Sequence, residues 1–436
     1  MTKINQKTRN PAILATENLR LLPKNEKNFA VEGEKGSKVL HGQSKTVRTK
    51  GSKTYPIVEA KNVLQSWYDL RLNEITYQVE GRLKKESDYK VLNENSVFVK
   101  LLSAGYNISL GTLCALLNSD FIEAYNPIKE YFTNLRPWDG KTDYISILAN
   151  HVQAVDQNQF NHHFQKMMVR TIACALDDHV FNKHAFIMVG AAQGTGKSSF
   201  CRYLCPPVLN DYFTENISND KDGQIALVQN FMINLDELST MTKFEINYLK
   251  SLFSKDRVKV RHPYARKSQT DTRRCSFVGS TNEDMFLSDS TGSVRWLCFE
   301  ITGINKEDPT QGKNYRNVPI DFVWSQAYSL YKSGFKYQLT ADEIRDNEIR
   351  NQQYQKITNE FEAVQTWLQP GNDCDEFKNT SEILILLNEK TQHQFKFSTD
   401  KIGKALNALG FVRTSKRKAV ELSDKKQPRW GYYVQY

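Results

Sequence analysis

Cysteine is scarce in this 436-residue chain, and the seven present (Cys114, Cys174, Cys201, Cys205, Cys275, Cys298 and Cys374) are scattered singly. Cys201 and Cys205 stand four apart on an expected helix, but no second Cys/His pair completes a zinc set. Four of the seven sit in apolar runs, where a thiol is usually a small buried hydrophobe, so a reduced environment is expected. Long apolar runs are missing as well. None approaches the roughly 20 residues that span a bilayer, and the N-terminus lacks the apolar core of a secretory signal. No membrane partner and a cytoplasmic location are the expectation. The pair His162-His163 has no carboxylate or cysteine at i+4, and neighbours on a helix point to different faces, so surface histidines are expected rather than metal ligands.

What remains is a charged chain with a basic balance. Charged residues make up 25% and hydrophobic ones 39%, as in a globular protein. The net charge is +10 and the pI about 9.0, which points to a polyanionic partner. The excess sits at the ends. Residues 1–55 carry twelve Lys/Arg against four Asp/Glu, and residues 411–436 carry seven against two. The length predicts two to four domains. Composition and pattern divide the chain into a disordered basic tail (1–55), a small α+β module (56–125), a core domain (126–305, with a helical lead-in to 180), a helical extension (306–360) and a C-terminal module (361–436).

The chain is organised around Phe186-Ile-Met-Val-Gly-Ala-Ala-Gln-Gly-Thr-Gly-Lys-Ser198, which reads as a buried strand, a glycine-rich turn and a helix start. That order is what a phosphate-binding P-loop needs. Glycines let backbone N–H groups converge on an anion, and the next helix adds its positive end. The expected nucleotide cradle is Gly190, Ala191, Gln193, Gly194, Thr195, Gly196, Lys197, Ser198 and Ser199. Lys197 is expected to reach the β- and γ-phosphates, and the Ser198 hydroxyl to ligate Mg²⁺. The first glycine of the motif falls on Ala191, with Gly190 one place earlier; alanine is small enough for that turn.

Asn230-Phe-Met-Ile-Asn-Leu-Asp-Glu237 is an apolar strand ending in two acids, 39 residues after Lys197, the form of a Walker B element. Asp236 is expected in the Mg²⁺ shell, and Glu237 to orient or activate water. Cys275-Ser-Phe-Val-Gly-Ser-Thr-Asn282 reads as a further core strand with Asn282 placed to sense water or γ-phosphate. Arg295, just before a fourth strand, is an arginine-finger candidate, because a planar guanidinium matches phosphate oxygens. Between these strands, Lys255, Arg257, Lys259 and Arg261 alternate with Val258 and Val260, and His262 follows. A hairpin with one basic face is expected there, for contact with a phosphate backbone.

Before the core, the spacing predicts a helix over Ile57–Leu70, strands at Ile75–Val79 and Val97–Leu102, and a helix over Ile108–Leu117 capped by Ser109. Asn126–Leu135, Tyr144–Val152, Phe160–Asp177 and Phe244–Phe253 read as helices, and 340–358 as a Gln/Asn-rich one. In the tail, Thr380–Leu387 (with a capping serine) and Ser398–Gly410 read as helices, followed by a basic hairpin. This is a winged-helix pattern, with Lys401 and Lys404 on the recognition helix and Lys416, Arg417 and Lys418 at the wing as DNA contacts.

The ordered set Asn126-Pro-Ile-Lys-Glu-Tyr-Phe, Trp138-Asp-Gly-Lys, Gln193-Gly-Thr-Gly-Lys-Ser, Asn234-Leu-Asp-Glu-Leu, Gly279-Ser-Thr-Asn, Gly292-Ser-Val-Arg-Trp and Val323-Trp-Ser-Gln-Ala-Tyr resembles the virulence-associated E family. That family is related to superfamily 3 helicases and to the helicase halves of phage and plasmid primase-helicases. The resemblance implies an α/β, AAA+-like core, ATP and Mg²⁺ as cofactors, and a homo-oligomeric ring with a hexamer as candidate. It further implies single-stranded or origin DNA as partner, and replication of a mobile element. A finger arginine would then act on the neighbouring subunit's nucleotide; Arg295 takes that role, with Arg273 and Arg274 as rivals. Residues 1–125 show no paired carboxylates in a suitable strand context, so a separate primase is a candidate partner. The expected function is a DNA-dependent ATPase or helicase. The alternative is a nucleotide-driven regulatory switch that does not translocate on DNA.

Overall fold

The computed structural model describes residues 55–261, 268–287, 293–305, 314–373, 375–420 and 423–436. The basic tail expected at 1–55 falls almost wholly outside them, as does His262. The side chains of Arg417 and Lys418 also lie outside the description. No described helix is long and apolar enough to cross a membrane.

The chain enters through α1 (Pro56–Trp67), β1 (Tyr68–Asn73), β2 (Val79–Leu83), β3 (Lys90–Val91), α2 (Glu94–Ser103), α3 (Leu110–Leu117) and β4 (Glu123–Tyr125). The strands form one sheet in the order β3-β2-β1-β4. Ala60, Leu64, Val97, Leu101 and Leu113 from the helices join Val79 of the sheet in a shared core. Three expectations are corrected here. The first helix stops at Trp67, and Tyr68 opens a strand. Ile75–Val79 is mostly the turn between β1 and β2: Asn73 Oδ1 accepts from the N–H groups of Ile75 and Thr76, which reverses the chain. Val97–Leu102 is helical because the Asn93 side chain caps α2, and Val97 and Leu101, four apart, bury on one face.

The core follows as α4 (Pro127–Asn134), α5 (Tyr144–Ala149), β5 (Val152–Ala154), α6 (Gln157–Leu176), β6 (Ala185–Val189), α7 (Lys197–Leu204), β7 (Phe213–Glu215), α8 (Lys221–Gln229), β8 (Met232–Leu235), α9 (Lys243–Phe253), β9 (Arg257–Val260), β10 (Gln269–Thr272), β11 (Ser276–Thr281) and β12 (Trp296–Ile304). Six strands form a sheet in the order β5-β12-β6-β11-β8-β7, parallel except for β5. Both faces are covered, which is why β6 reads as an unbroken apolar run. Phe186, Met188, Leu297 and Phe299 pack on one side with Phe132, Phe164, Phe200 and Trp324. Ile187, Val189, Phe277 and Trp296 pack on the other with Leu249, Leu252 and Phe253. Each such side chain contributes about 2 kcal/mol by leaving water. α9 starts at a capping box between Thr242 and Glu245.

His163 departs from its expected surface position: it is 1% exposed on α6, while His162 stays outside and bonds Glu343 Oε1 at 2.6 Å. Six of the seven cysteines fall on described residues; all six are free thiols, and five of them are buried.

Past the sheet come α10 (Ile320–Lys332) and α11 (Ala341–Asn351), the latter shorter than the expected 340–358. The chain ends with α12 (Asn359–Trp367), β13 (Gln369–Pro370), β14 (Glu376–Lys378), α13 (Thr380–Lys390), α14 (Thr399–Ala408), β15 (Thr414–Val420) and β16 (Ser423–Gln435). Val364, Ile383, Leu387, Ile402, Leu406, Tyr432 and Val434 form a separate small core. Asn379, not a serine, caps α13, through a box with Glu382. The whole is a mixed α/β architecture.

Candidate functional site at the carboxyl ends of the core strands

Because β11 lies between β6 and β8, three strand ends open onto one edge of the sheet. The glycine-rich loop leaves β6 there. Gly190 donates its N–H to Thr281 O at 3.1 Å, and a Cβ on it would stand 2.6 Å from Ile301 O. Glycine is therefore required one place before the expected motif position, and Ala191 sits in the open turn. Gly194 (φ +72°) and Gly196 (φ +94°) take left-handed conformations that turn the chain into α7. Gly196 caps α7 without any side-chain bond, so the first-turn amides face the loop. Lys197 is 6% exposed and its Nζ donates to Gly190 O at 2.7 Å, Ala192 O at 3.0 Å and Thr195 Oγ1 at 3.3 Å. Gln193 lies exposed at the tip of the loop, and Ser199 is half-buried on α7.

Asp236 follows β8 directly. Its Oδ1 accepts from Ser198 Oγ at 2.6 Å and from Ser280 Oγ at 2.9 Å, and the two hydroxyls are 3.5 Å apart. Three oxygens thus converge from three elements, a donor set of the kind a hard divalent cation takes. Glu237 next to it is exposed and held at φ +52°, a left-handed conformation that costs a non-glycine residue of order 1 kcal/mol or more. Its carbonyl accepts from Thr240 N–H at 3.0 Å and from Thr240 Oγ1 at 2.9 Å, which fixes the turn. Asn282 stands at the end of β11, on the same edge and half-buried. Lys197, Ser198, Asp236, Glu237 and Asn282 are therefore brought to one edge.

Arg295 is not among them. It precedes β12, whose Trp296 pairs with Ala185 at the start of β6, so it stands at the opposite edge, roughly 15 Å away at about 3.3 Å per residue. There its Nε donates to Ser254 Oγ at 2.9 Å. The rival Arg273 is corrected by its burial. It is 0% exposed and donates to the carbonyls of Leu252, Phe253, Cys275 and Asn182, which ties α9 to the sheet. Arg274 pairs with Asp178 at 2.6 Å and bonds Ala175 O.

The expected hairpin is β9 paired with β10; Val258 and Val260 are buried, while Arg257, Lys259 and Arg261 face outward and Lys255 is half-buried. In the C-terminal region, Lys401 lies 3.6 Å from Glu360 Oε1 and Lys404 3.1 Å from Asp400 Oδ2. Lys416 Nζ lies over the rings of Tyr433 and Phe377.

Sequence reasoning missed Ser280, Arg202 and Glu215. Ser280 is inside the Gly279-Ser-Thr-Asn282 stretch, and Arg202 is four residues past Ser198 on α7, so both left a signal. Glu215 left none, since only the strand order sets β7 beside β8. Arg202 meets Glu215 bidentately, Nε to Oε1 at 2.5 Å and Nη2 to Oε2 at 2.9 Å. These bonds hold the Glu215 carboxyl below its ordinary pKa and raise that of the guanidinium. Burial pushes the Cys201 thiol, on α7, well above the usual range. Among the described residues, no cluster of three or more His, Cys, Asp or Glu is set to hold a metal.

A comparison with curated proteins finds no match. Among solved structures, the apo structure of the NrS-1 C-terminal region is similar, with TM-score 0.50 at 12% identity over 88% of this chain and 100% of that one. An A-form apo structure of the same region covers 87% of this chain and 100% of that one at 12% identity, with TM-score 0.47. At such identities the first of these concerns the fold alone. The model of the virulence-associated protein E-like domain matches residues 132–356, which contain the glycine-rich loop, Asp236 and Ser280. The chain belongs to the virulence-associated protein E-like family.

Proposed function

We propose that this chain is a P-loop ATPase of the superfamily 3 helicase type, acting on DNA in the replication of a mobile element. The observation that carries the reading is the hydrogen bond from Ser198 Oγ to Asp236 Oδ1 at the mouth of the left-handed glycine loop. A hydroxyl at the start of the loop's helix and an acid at the end of a nearby parallel strand are the pair that holds Mg²⁺ beside a phosphate chain. The residues fit that group: a left-handed glycine turn into a helix start for an anion, an ammonium inside the loop, and three converging oxygens for the cation.

Bound ATP with Mg²⁺ supplies the phosphoanhydride to be cleaved and the charge that offsets its leaving group. The loop amides and Lys197 would bind and orient the phosphates, and Ser198 and Asp236 would hold the cation. Glu237, exposed beside them, takes the proton of the attacking water, and Asn282 orients that water. Arg295, at the far edge of the sheet, would act on the nucleotide of a neighbouring subunit in a ring rather than on its own site. The outward face of β9, with Arg257 and Lys259, is the proposed DNA contact of the core. The C-terminal pair of helices with its long hairpin, β15–β16, is proposed as a winged helix on DNA. The test is ATP turnover of the purified chain with single-stranded DNA, beside Glu237→Gln. Turnover lost in the variant while a fluorescent ATP analogue still binds supports the reading. Binding without any turnover in the unmodified chain sinks it, and turnover indifferent to DNA favours a regulatory switch.

A further inference from the structure

Asp236 divides its two oxygens between different neighbours. Oδ1 takes the hydroxyls of Ser198 and Ser280, while Oδ2 faces Arg202 Nη2 at 3.9 Å. Arg202 reaches this place because it lies one helical turn after Ser198 on α7. A guanidinium so close to the acid expected to bind a cation is a competitor for it. It does not close on Asp236, because the same Nη2 is 2.9 Å from Glu215 Oε2 and Nε is 2.5 Å from Oε1. Glu215 is held in turn from within the sheet. It pairs in register with Asn234, whose Nδ2 donates to Oε1 at 3.2 Å. Asn234 is a fully buried amide in an otherwise apolar strand, and its Oδ1 has no hydrogen-bond partner among the described residues. A buried amide carries a desolvation cost, and here its N–H is spent on orienting Glu215.

We infer that Glu215 is a positioning residue that sequesters the Arg202 guanidinium and so leaves Asp236 available to a divalent cation. This rests on the reading that Ser198 and Asp236 hold Mg²⁺. Without the Glu215 charge, the nearest carboxylate to Nη2 is Asp236, and an ion pair there takes the negative charge the cation needs.

The experiment measures the affinity of a fluorescent ATP analogue for the full chain across a Mg²⁺ titration. It compares wild type with Asp236→Asn, Glu215→Gln, Arg202→Met and the double variant Glu215→Gln/Arg202→Met. Glu215→Gln should raise the half-saturating Mg²⁺ concentration about 10-fold, the lower end of what lost outer-shell partners cost. Arg202→Met alone should not raise it, and the double variant should return to the wild-type range. Both side chains are partly exposed, so thermal unfolding midpoints should change little; a purely structural role would move the midpoint without this rescue. Glu215→Gln matching wild type, or a double variant as weak as Glu215→Gln, overturns the inference. Wild type and Asp236→Asn responding alike to Mg²⁺ overturns the underlying reading as well, and that result is visible without the Glu215 variants.

Discussion

Lysines in two regions of this molecule sit in opposite circumstances. Lys197 is almost fully buried at the start of α7, and its ammonium meets oxygens of the same loop, two of them backbone carbonyls. Lys401 and Lys404, on α14, are half-exposed and each lies near a carboxylate, Glu360 and Asp400. The first arrangement concentrates positive charge where a helix end and a glycine turn already favour an anion. The second largely cancels its charge locally before any partner arrives. Positive residues of similar appearance in the sequence thus differ in what they can do, and the outward Arg257 and Lys259 on β9 share the exposure of Lys401 and Lys404.

The contrast can be broken most severely at the loop. Lys197→Ala should lower ATP turnover by about 10³-fold, the scale of losing a preorganised charge on a transferring phosphoryl group; steady-state phosphate release measures it. A smaller effect is expected at the hairpin. Arg257→Ala with Lys259→Ala should lower the slope of log affinity against log salt for single-stranded DNA by about 1.4, the share of two phosphate contacts. Fluorescence anisotropy over a salt series reads this directly, and an unchanged slope removes the hairpin from the DNA path.

The same difference between buried and exposed bases predicts an acid limb of stability. Burial, with Arg350 nearby, lowers His163 from 6.5 to about 3, and burial with Arg170 lowers His184 to about 2. Both are neutral in the fold, so the unfolded chain binds the extra protons below pH 6.5. Stability should fall as pH drops from 6.5 toward 3, by up to about 1.4 kcal/mol per pH unit for each histidine. Urea unfolding at several pH values measures the limb, and His163→Gln should reduce its slope. The smallest effect belongs to α14. Lys401→Ala with Lys404→Ala should leave the DNA salt slope nearly unchanged, because Glu360 and Asp400 already answer those charges; a loss equal to that of the hairpin pair would erase the comparison.

How much of this is legible in the sequence depends on whether a feature is local. The strand, glycine turn and helix around Lys197 can be read because three periodic signals follow one another within thirteen residues. β8 can be read because a strand buried on both faces is mostly apolar, and β11 because Phe277 and Val278 lead into polar residues at its tip. Val97–Leu102 misleads because a short run that alternates also satisfies the four-residue spacing of a helix, and only the Asn93 cap separates the two. His163 is invisible as a buried residue because nothing local tells that Phe299 covers its ring. The candidate site divides the same way. Lys197, Ser198, Asp236 and Glu237 lie in readable motifs, whereas Ser280 joins Asp236 only because β11 is inserted between β6 and β8. Glu215 depends on a three-residue strand and on its neighbour in the sheet.

The most direct measurement is the rate of ATP hydrolysis by the full chain with and without single-stranded DNA, with Lys197→Ala as the blank. The account predicts turnover that rises when DNA is added and is absent from the variant. Nucleotide that binds but is never hydrolysed, with DNA present or not, would contradict it.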